Sequence, residues 1–139
     1  HMEMLQTSLA GLGNFAMYFL ISIVLFFVFK LLYTFITPHD EWKLVKEQQN
    51  TAAAIGFGGA MIGFAIALAG AASSSAFFVD YVIWAFVAML AQVFAFLLLR
   101  FTFMPLIAER IDNNEVSAGI ILACVSISVG LLNAACMSY

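Results

Sequence analysis

The sequence predicts an all-α integral membrane protein, with four transmembrane helices as two tandem parallel two-helix repeats. Its composition, four long apolar runs and a self-similarity between its halves predict this. Of the 139 residues, 65% are hydrophobic and 9% charged, against about 45–50% and about 25% in a soluble domain. So short a chain could not hide that apolar content in a water-exposed fold, because small domains bury the least of their surface. Lipid is therefore the expected solvent. Five Lys and Arg and a net charge of −3 leave no basic footprint for nucleic acid.

His1 reads as a cloning scar and Met2 as the native start. Glu3 stands where a secretory signal would carry Lys or Arg, so the first apolar run, residues 15–36, is expected to be an anchor. Further runs cover 52–72, 81–104 and 118–137. Each is about twenty residues or more, enough to cross a hydrocarbon layer of about 30 Å as a helix. Strand-like alternation is absent from all four, so a β-barrel is not expected.

Polar segments 37–51, 73–80 and 105–117 connect the spans. Thr37 reads as an N-cap, Pro38 as a first helical residue and Asp40 as closing a capping box. The first connection should then be a short interfacial helix, with Trp42 and Val45 toward headgroups and Lys43, Lys46 and Glu47 toward water. Leu106, Ile107 and Ile111, with Glu109, Arg110 and Asp112, repeat that pattern in the third connection. Lys43, Lys46 and Arg110 lie in these two loops, and Lys30 and Arg100 near the span ends leading into them. By the positive-inside rule, loops 37–51 and 105–117 are expected in the cytoplasm and both termini outside.

A shift of 67 residues, the separation of Pro38 and Pro105, also aligns Lys43 with Arg110 and Gly63 with Gly130. A unit of two spans keeps its orientation when repeated, so the halves are expected to be parallel. One membrane domain over 1–139 would hold repeat 1 at about 14–70 and repeat 2 at about 81–137.

The shift also aligns two stripes of small residues at helical spacing. Ala52, Gly56, Gly59, Gly63 and Ala67 form one, and Gly119, Ala123, Ser126, Gly130 and Ala134 the other. Such stripes let backbones approach closely in lipid. Spans two and four are expected to pack on each other, or to use part of the stripe between subunits. The Phe-rich first and third spans are expected outside them, against lipid. Cys124 and Cys136 lie twelve residues apart, about 18 Å along a helix, too far for a disulfide. They read as small packing residues, with an intermolecular bridge at Cys136 as the alternative.

The candidate functional polar residues are Asn133, Gln92, Lys30 and Arg100. Asn133 should find a polar partner across helices, with Gln92 and Tyr18 as the candidates. Lys30 and Arg100 would snorkel to the interface, or turn inward along an anion path. Pro38, Asp40, Trp42 and Lys43 form a candidate cytoplasmic docking segment. His39 has no Cys or His at metal-ligand spacing, no nucleophile motif or intramembrane carboxylate occurs, and no cofactor is expected. The chain does not read as an enzyme.

The run Ile36-Thr37-Pro38-His39-Asp40-Glu41-Trp42, the run Asn50-Thr51-Ala52-Ala53 and the closing Asn133-Ala134-Ala135-Cys136-Met137 resemble the DUF350 (UPF0719) family of YjfL-like inner-membrane proteins. The resemblance covers nearly the whole chain and implies a four-span protein of the bacterial inner membrane with uncharacterised activity. It also implies a link to envelope stress and a phage-shock-protein-A-like cytoplasmic partner. The expected function is thus a self-associating, non-enzymatic membrane protein of envelope maintenance. The alternative is a small oligomeric channel or transporter lined by spans two and four.

Overall fold

The computed structural model describes residues 2–38 and 40–137; His1, His39, Ser138 and Tyr139, and what was expected of them, lie outside it. Six helices form among the described residues: α1 (Met2–Ile36), α2 (Glu41–Gln48), α3 (Thr51–Ser74), α4 (Phe78–Phe101), α5 (Ile107–Asp112) and α6 (Val116–Cys136). Four of them, α1, α3, α4 and α6, are long and apolar enough to cross a membrane.

The centre of the bundle is the pair α3 and α6. A Cβ on Gly59 would overlap Ala123, one on Gly119 would lie 2.8 Å from Ala52 Cα, and one on Gly130 would lie 2.6 Å from Gly63 Cα. One on Gly70 would lie 2.7 Å from Ala134 Cβ. Residue numbers rise together along both helices, so they run parallel, backbone against backbone. With no hydrophobic drive between helices in lipid, such close approach is a main source of association. Ala52, Ala67, Ala123 and Ser126 are also buried, and Ala134 is half-buried.

The other spans are not a uniform lipid-facing shell. α4 packs on both α3 and α6 and buries Tyr81, Ala85, Ala88, Met89, Gln92, Val93, Ala95, Phe96 and Leu99. α6 buries only six residues, because its side away from α3 and α4 is left uncovered. The expectation that the Phe-rich third span lies outside the α3–α6 pair, against lipid, is therefore corrected: α4 packs against both helices. Cys124 and Cys136 are free and exposed, pointing outward rather than into the packing.

α1 joins the bundle over its second half by ring packing. Phe29 stacks on Phe64 at 4.5 Å and Phe26 meets the same ring edge-on at 5.2 Å. Tyr33 lies 6.0 Å from Phe57 and 6.3 Å from Phe96. Tyr18 contacts Phe78 and Tyr81 at the start of α4. Residues 2–17 are all exposed and continue the helix by about 24 Å at 1.5 Å per residue. The span expected at 15–36 is thus the inner part of a 35-residue helix. Gly11 and Gly13 do not stop it, since an interior glycine costs only about 0.5–1 kcal/mol.

The first connection starts differently from its sequence reading. Thr37 closes α1, donating its hydroxyl to Tyr33 O at 2.9 Å, and caps nothing downstream. The N-cap of α2 is Asp40, at φ 27°, whose carboxylate accepts from Lys43 N at 3.4 Å. Thr37 directly follows the last residue of α1 and α2 starts only at Glu41, so the capping position falls on Asp40.

Candidate functional site: polar groups inside an apolar bundle

At the end of the bundle that carries α2 and α5, Glu41 is fully buried. Its Oε2 lies 2.6 Å from Thr37 Oγ1 and shares that hydroxyl's single proton with Tyr33 O, and buried Tyr33 lies one helical turn before Thr37. Sequence reasoning did not single out Glu41 as a site residue. An acidic residue in a polar connection gives no sign of burial, and only the fold of α2 back beneath α3 creates it.

Asn50 is the second missed residue. It is 4% exposed and caps α3, its Oδ1 accepting from Ala53 N at 2.8 Å. Its Nδ2 donates to Ile111 O at 2.8 Å and Asp112 O at 3.3 Å. Asn114, in the left-handed region at φ 59°, returns the link, its Oδ1 accepting from Ala52 N at 3.0 Å. Two asparagines thus fasten the connections to one helix start. An Asn directly before an apolar helix is a standard N-cap signal, so half of this role was legible.

Midway along the spans, buried Gln92 of α4 reaches the α3–α6 contact, its Nε2 donating to Ser126 O at 3.0 Å. A Cβ on Gly63 would lie 2.6 Å from that nitrogen, so the absent side chain at Gly63 makes room for the amide. Gln92 therefore bonds the α6 backbone rather than Asn133. Gln92 Oε1, Ser126 Oγ and Asn133 Nδ2 are buried atoms without a protein partner. At the far end Ser22 Oγ and Tyr81 OH pair at 2.5 Å, while Tyr18 contributes its ring and its backbone carbonyl.

An interhelical hydrogen bond in a membrane protein contributes about 0.6 kcal/mol on average. Gln92→Met should accordingly cost less than about 1 kcal/mol, since it removes one bond and also an orphaned oxygen. A loss above about 2 kcal/mol in lipid-bicelle unfolding would show that Oε1 has a partner after all.

The remaining candidates lie toward the surface. Arg100 is exposed, its guanidinium 5.7 Å from the Phe101 ring. Lys30 is half-buried, its ammonium 4.4 Å over the Trp42 ring. Pro38, Asp40 and Lys43 are exposed, whereas Trp42 is 43% exposed and also meets Phe57 edge-on. Arg110 pairs with Glu115 at 2.8 Å on the surface, a contact worth little. Among the described residues no group of three His, Cys, Asp or Glu could hold a metal ion.

Four long apolar helices, with Gln92 and Ser126 buried in the contacts between them, define a polytopic α-helical membrane protein. Within that class the chain belongs to the DUF350 family: the model described as "Domain of Unknown Function (DUF350)" matches residues 6–137. It is 36% identical over 131 residues to the UPF0719 inner membrane protein YjfL of Escherichia coli K12, across 94% of this chain and 98% of that protein. The protein of the same description from Escherichia coli O157:H7 matches equally. No solved structure matches the chain.

Proposed function

We propose that the chain is a non-enzymatic, self-associating protein of the bacterial inner membrane that serves envelope maintenance. Self-association rests on one observation, the outer part of α1. At about 52 Å the helix exceeds the hydrocarbon layer of about 30 Å and even the full bilayer of about 40–45 Å. Met2, Leu5, Leu9 and Leu12 fall on one side of it and are each more than half exposed. All of residues 2–17 are exposed, so among the described residues the bundle leaves this side uncovered. Gly11 and Gly13 also have no packing neighbour, so their helix cost is unrecovered within one chain. A second copy would cover the leucines.

Native mass spectrometry from lipid nanodiscs should show dimers or larger assemblies, shifted at least tenfold toward monomer by Leu5→Glu with Leu9→Glu. A wild-type protein that stays monomeric would sink the proposal.

The basic residues support an orientation with loops 37–51 and 105–117 in the cytoplasm and both termini in the periplasm, since all five gather at one end of the bundle. The relative's description as an inner membrane protein supports the location. The parallel α3 and α6 support two tandem two-helix repeats. Exposed Pro38, Asp40 and Lys43 offer a cytoplasmic surface for a phage-shock-protein-A-like partner.

A small oligomeric channel or transporter lined by α3 and α6 is the second reading, favoured by the orphaned Gln92 Oε1, Ser126 Oγ and Asn133 Nδ2 at that seam. The backbone contact of α3 with α6 closes the seam inside one chain, so a path there would need the two helices to part. Ion flux into proteoliposomes separates the readings, because a scaffold leaves permeability unchanged.

A further inference from the structure

A groove of about 510 Å³ opens on the bundle surface between α1, α2 and α3, with Phe26, Phe27, Lys30, Trp42, Phe57 and Met61 among its walls. Its volume is in the range of small-molecule sites, about 300–1,000 Å³. Apart from the Lys30 ammonium its walls are apolar side chains. Phe27 is 64% exposed and Met61 38%, so the groove faces outward at span depth.

Lys30 lies six residues before the end of α1, about 9 Å along the axis. Its ammonium rests on the Trp42 ring, and among the described residues it has no carboxylate partner. Cations this deep in a span normally find an anion or snorkel to the interface. Here the indole holds the charge at the mouth of an apolar trough.

We propose that this groove binds one anionic phospholipid, its phosphate on Lys30 and an acyl chain along Phe26, Phe57 and Met61. A free phosphate would satisfy the ammonium and leave the trough unfilled. A zwitterionic lipid would fill the trough and give the ammonium less net charge to meet. Basic pockets between transmembrane helices are known to take anionic headgroups. Lys43 and Lys46, exposed on α2, attract anionic lipid generally and lie outside the groove.

Trp42 is the reporter. The chain has two tryptophans, so Trp84→Phe isolates it. In vesicles carrying brominated phosphatidylglycerol or brominated phosphatidylcholine, quenching of Trp42 gives the relative affinity of the groove for each. The expected preference for phosphatidylglycerol is about fivefold, the worth of one well-placed cation. Lys30→Gln should bring it to about one, and Lys30→Arg should keep it. Lys43→Gln with Lys46→Gln should also keep it, and excess inorganic phosphate should leave the quenching unchanged. Met61→Trp, in the Trp42→Phe and Trp84→Phe background, should show the same preference from the opposite wall.

Equal quenching by both lipids in the wild type would overturn the proposal. So would a preference that survives Lys30→Gln, or one lost with Lys43 and Lys46 instead. Relief of quenching by phosphate would assign the site to a free anion.

Discussion

Replacing Gly59 with alanine is expected to destabilise the bundle by about 1–3 kcal/mol, while the same change at Gly58 leaves it unchanged or stabilises it by up to about 1 kcal/mol. The two residues are adjacent on α3, so helix propensity is nearly the same for both and favours alanine at each. Their surroundings differ. A Cβ on Gly58 meets nothing within 4 Å, whereas one on Gly59 falls on Ala123 Cα and Cβ and 3.0 Å from its carbonyl oxygen. Backbone atoms cannot rotate aside as the end of a side chain can. The helix pair must separate, which also strips contact from Gly63 and Gly130 on the same seam. Steric-trapping or detergent-driven unfolding in bicelles reads both variants. Equal effects at Gly58 and Gly59 would mean that the seam is not in backbone contact. Larger substitutions extend the series: Gly130→Val should cost more than Gly59→Ala, because its Cβ already meets Gly63 backbone.

That seam was legible in the sequence because spacing of three and four maps onto one side of a helix, and only small residues occupied it. The spans were legible for the same reason, since length and apolarity are local properties. What failed was whatever depends on where a connection folds. Thr37 before Pro38 has the form of a helix start, yet its hydroxyl turns back to Tyr33 O and forward to Glu41. Glu41 is adjacent to Asp40 and chemically almost identical; one is exposed and the other buried. Nothing in their order separates them. The outer turns of α1 were missed because Gln6, Thr7, Ser8 and Asn14 look like a polar leader, although none of them breaks a helix. Gln92 stood out as a mid-span amide, but its partner is a backbone carbonyl, which carries no sequence signature.

Asn50→Ala is expected to cost about 2–4 kcal/mol, the largest effect of any polar truncation in the molecule. The cap on Ala53 N contributes about 0.5–2 kcal/mol of this. The rest comes from the amide donated to Ile111 O and Asp112 O, where loss of a buried donor leaves a carbonyl with less than its full complement. Asn50→Ser separates the two parts. A serine hydroxyl can still accept from Ala53 N, but it is too short to reach α5, so about half of the loss should return. Hydrogen exchange makes the division visible. In Asn50→Ser the Ala53 amide should stay protected while α5 exchanges faster, and in Asn50→Ala both should exchange faster. Asn114→Ala should expose the Ala52 amide and leave Ala53 protected, because each asparagine serves a different donor at the start of α3. If Asn50→Ser left α5 as protected as in the wild type, the amide would not be what joins the two connections. The burial of Ile111 and Ile107 against the bundle would then be enough to hold α5 in place.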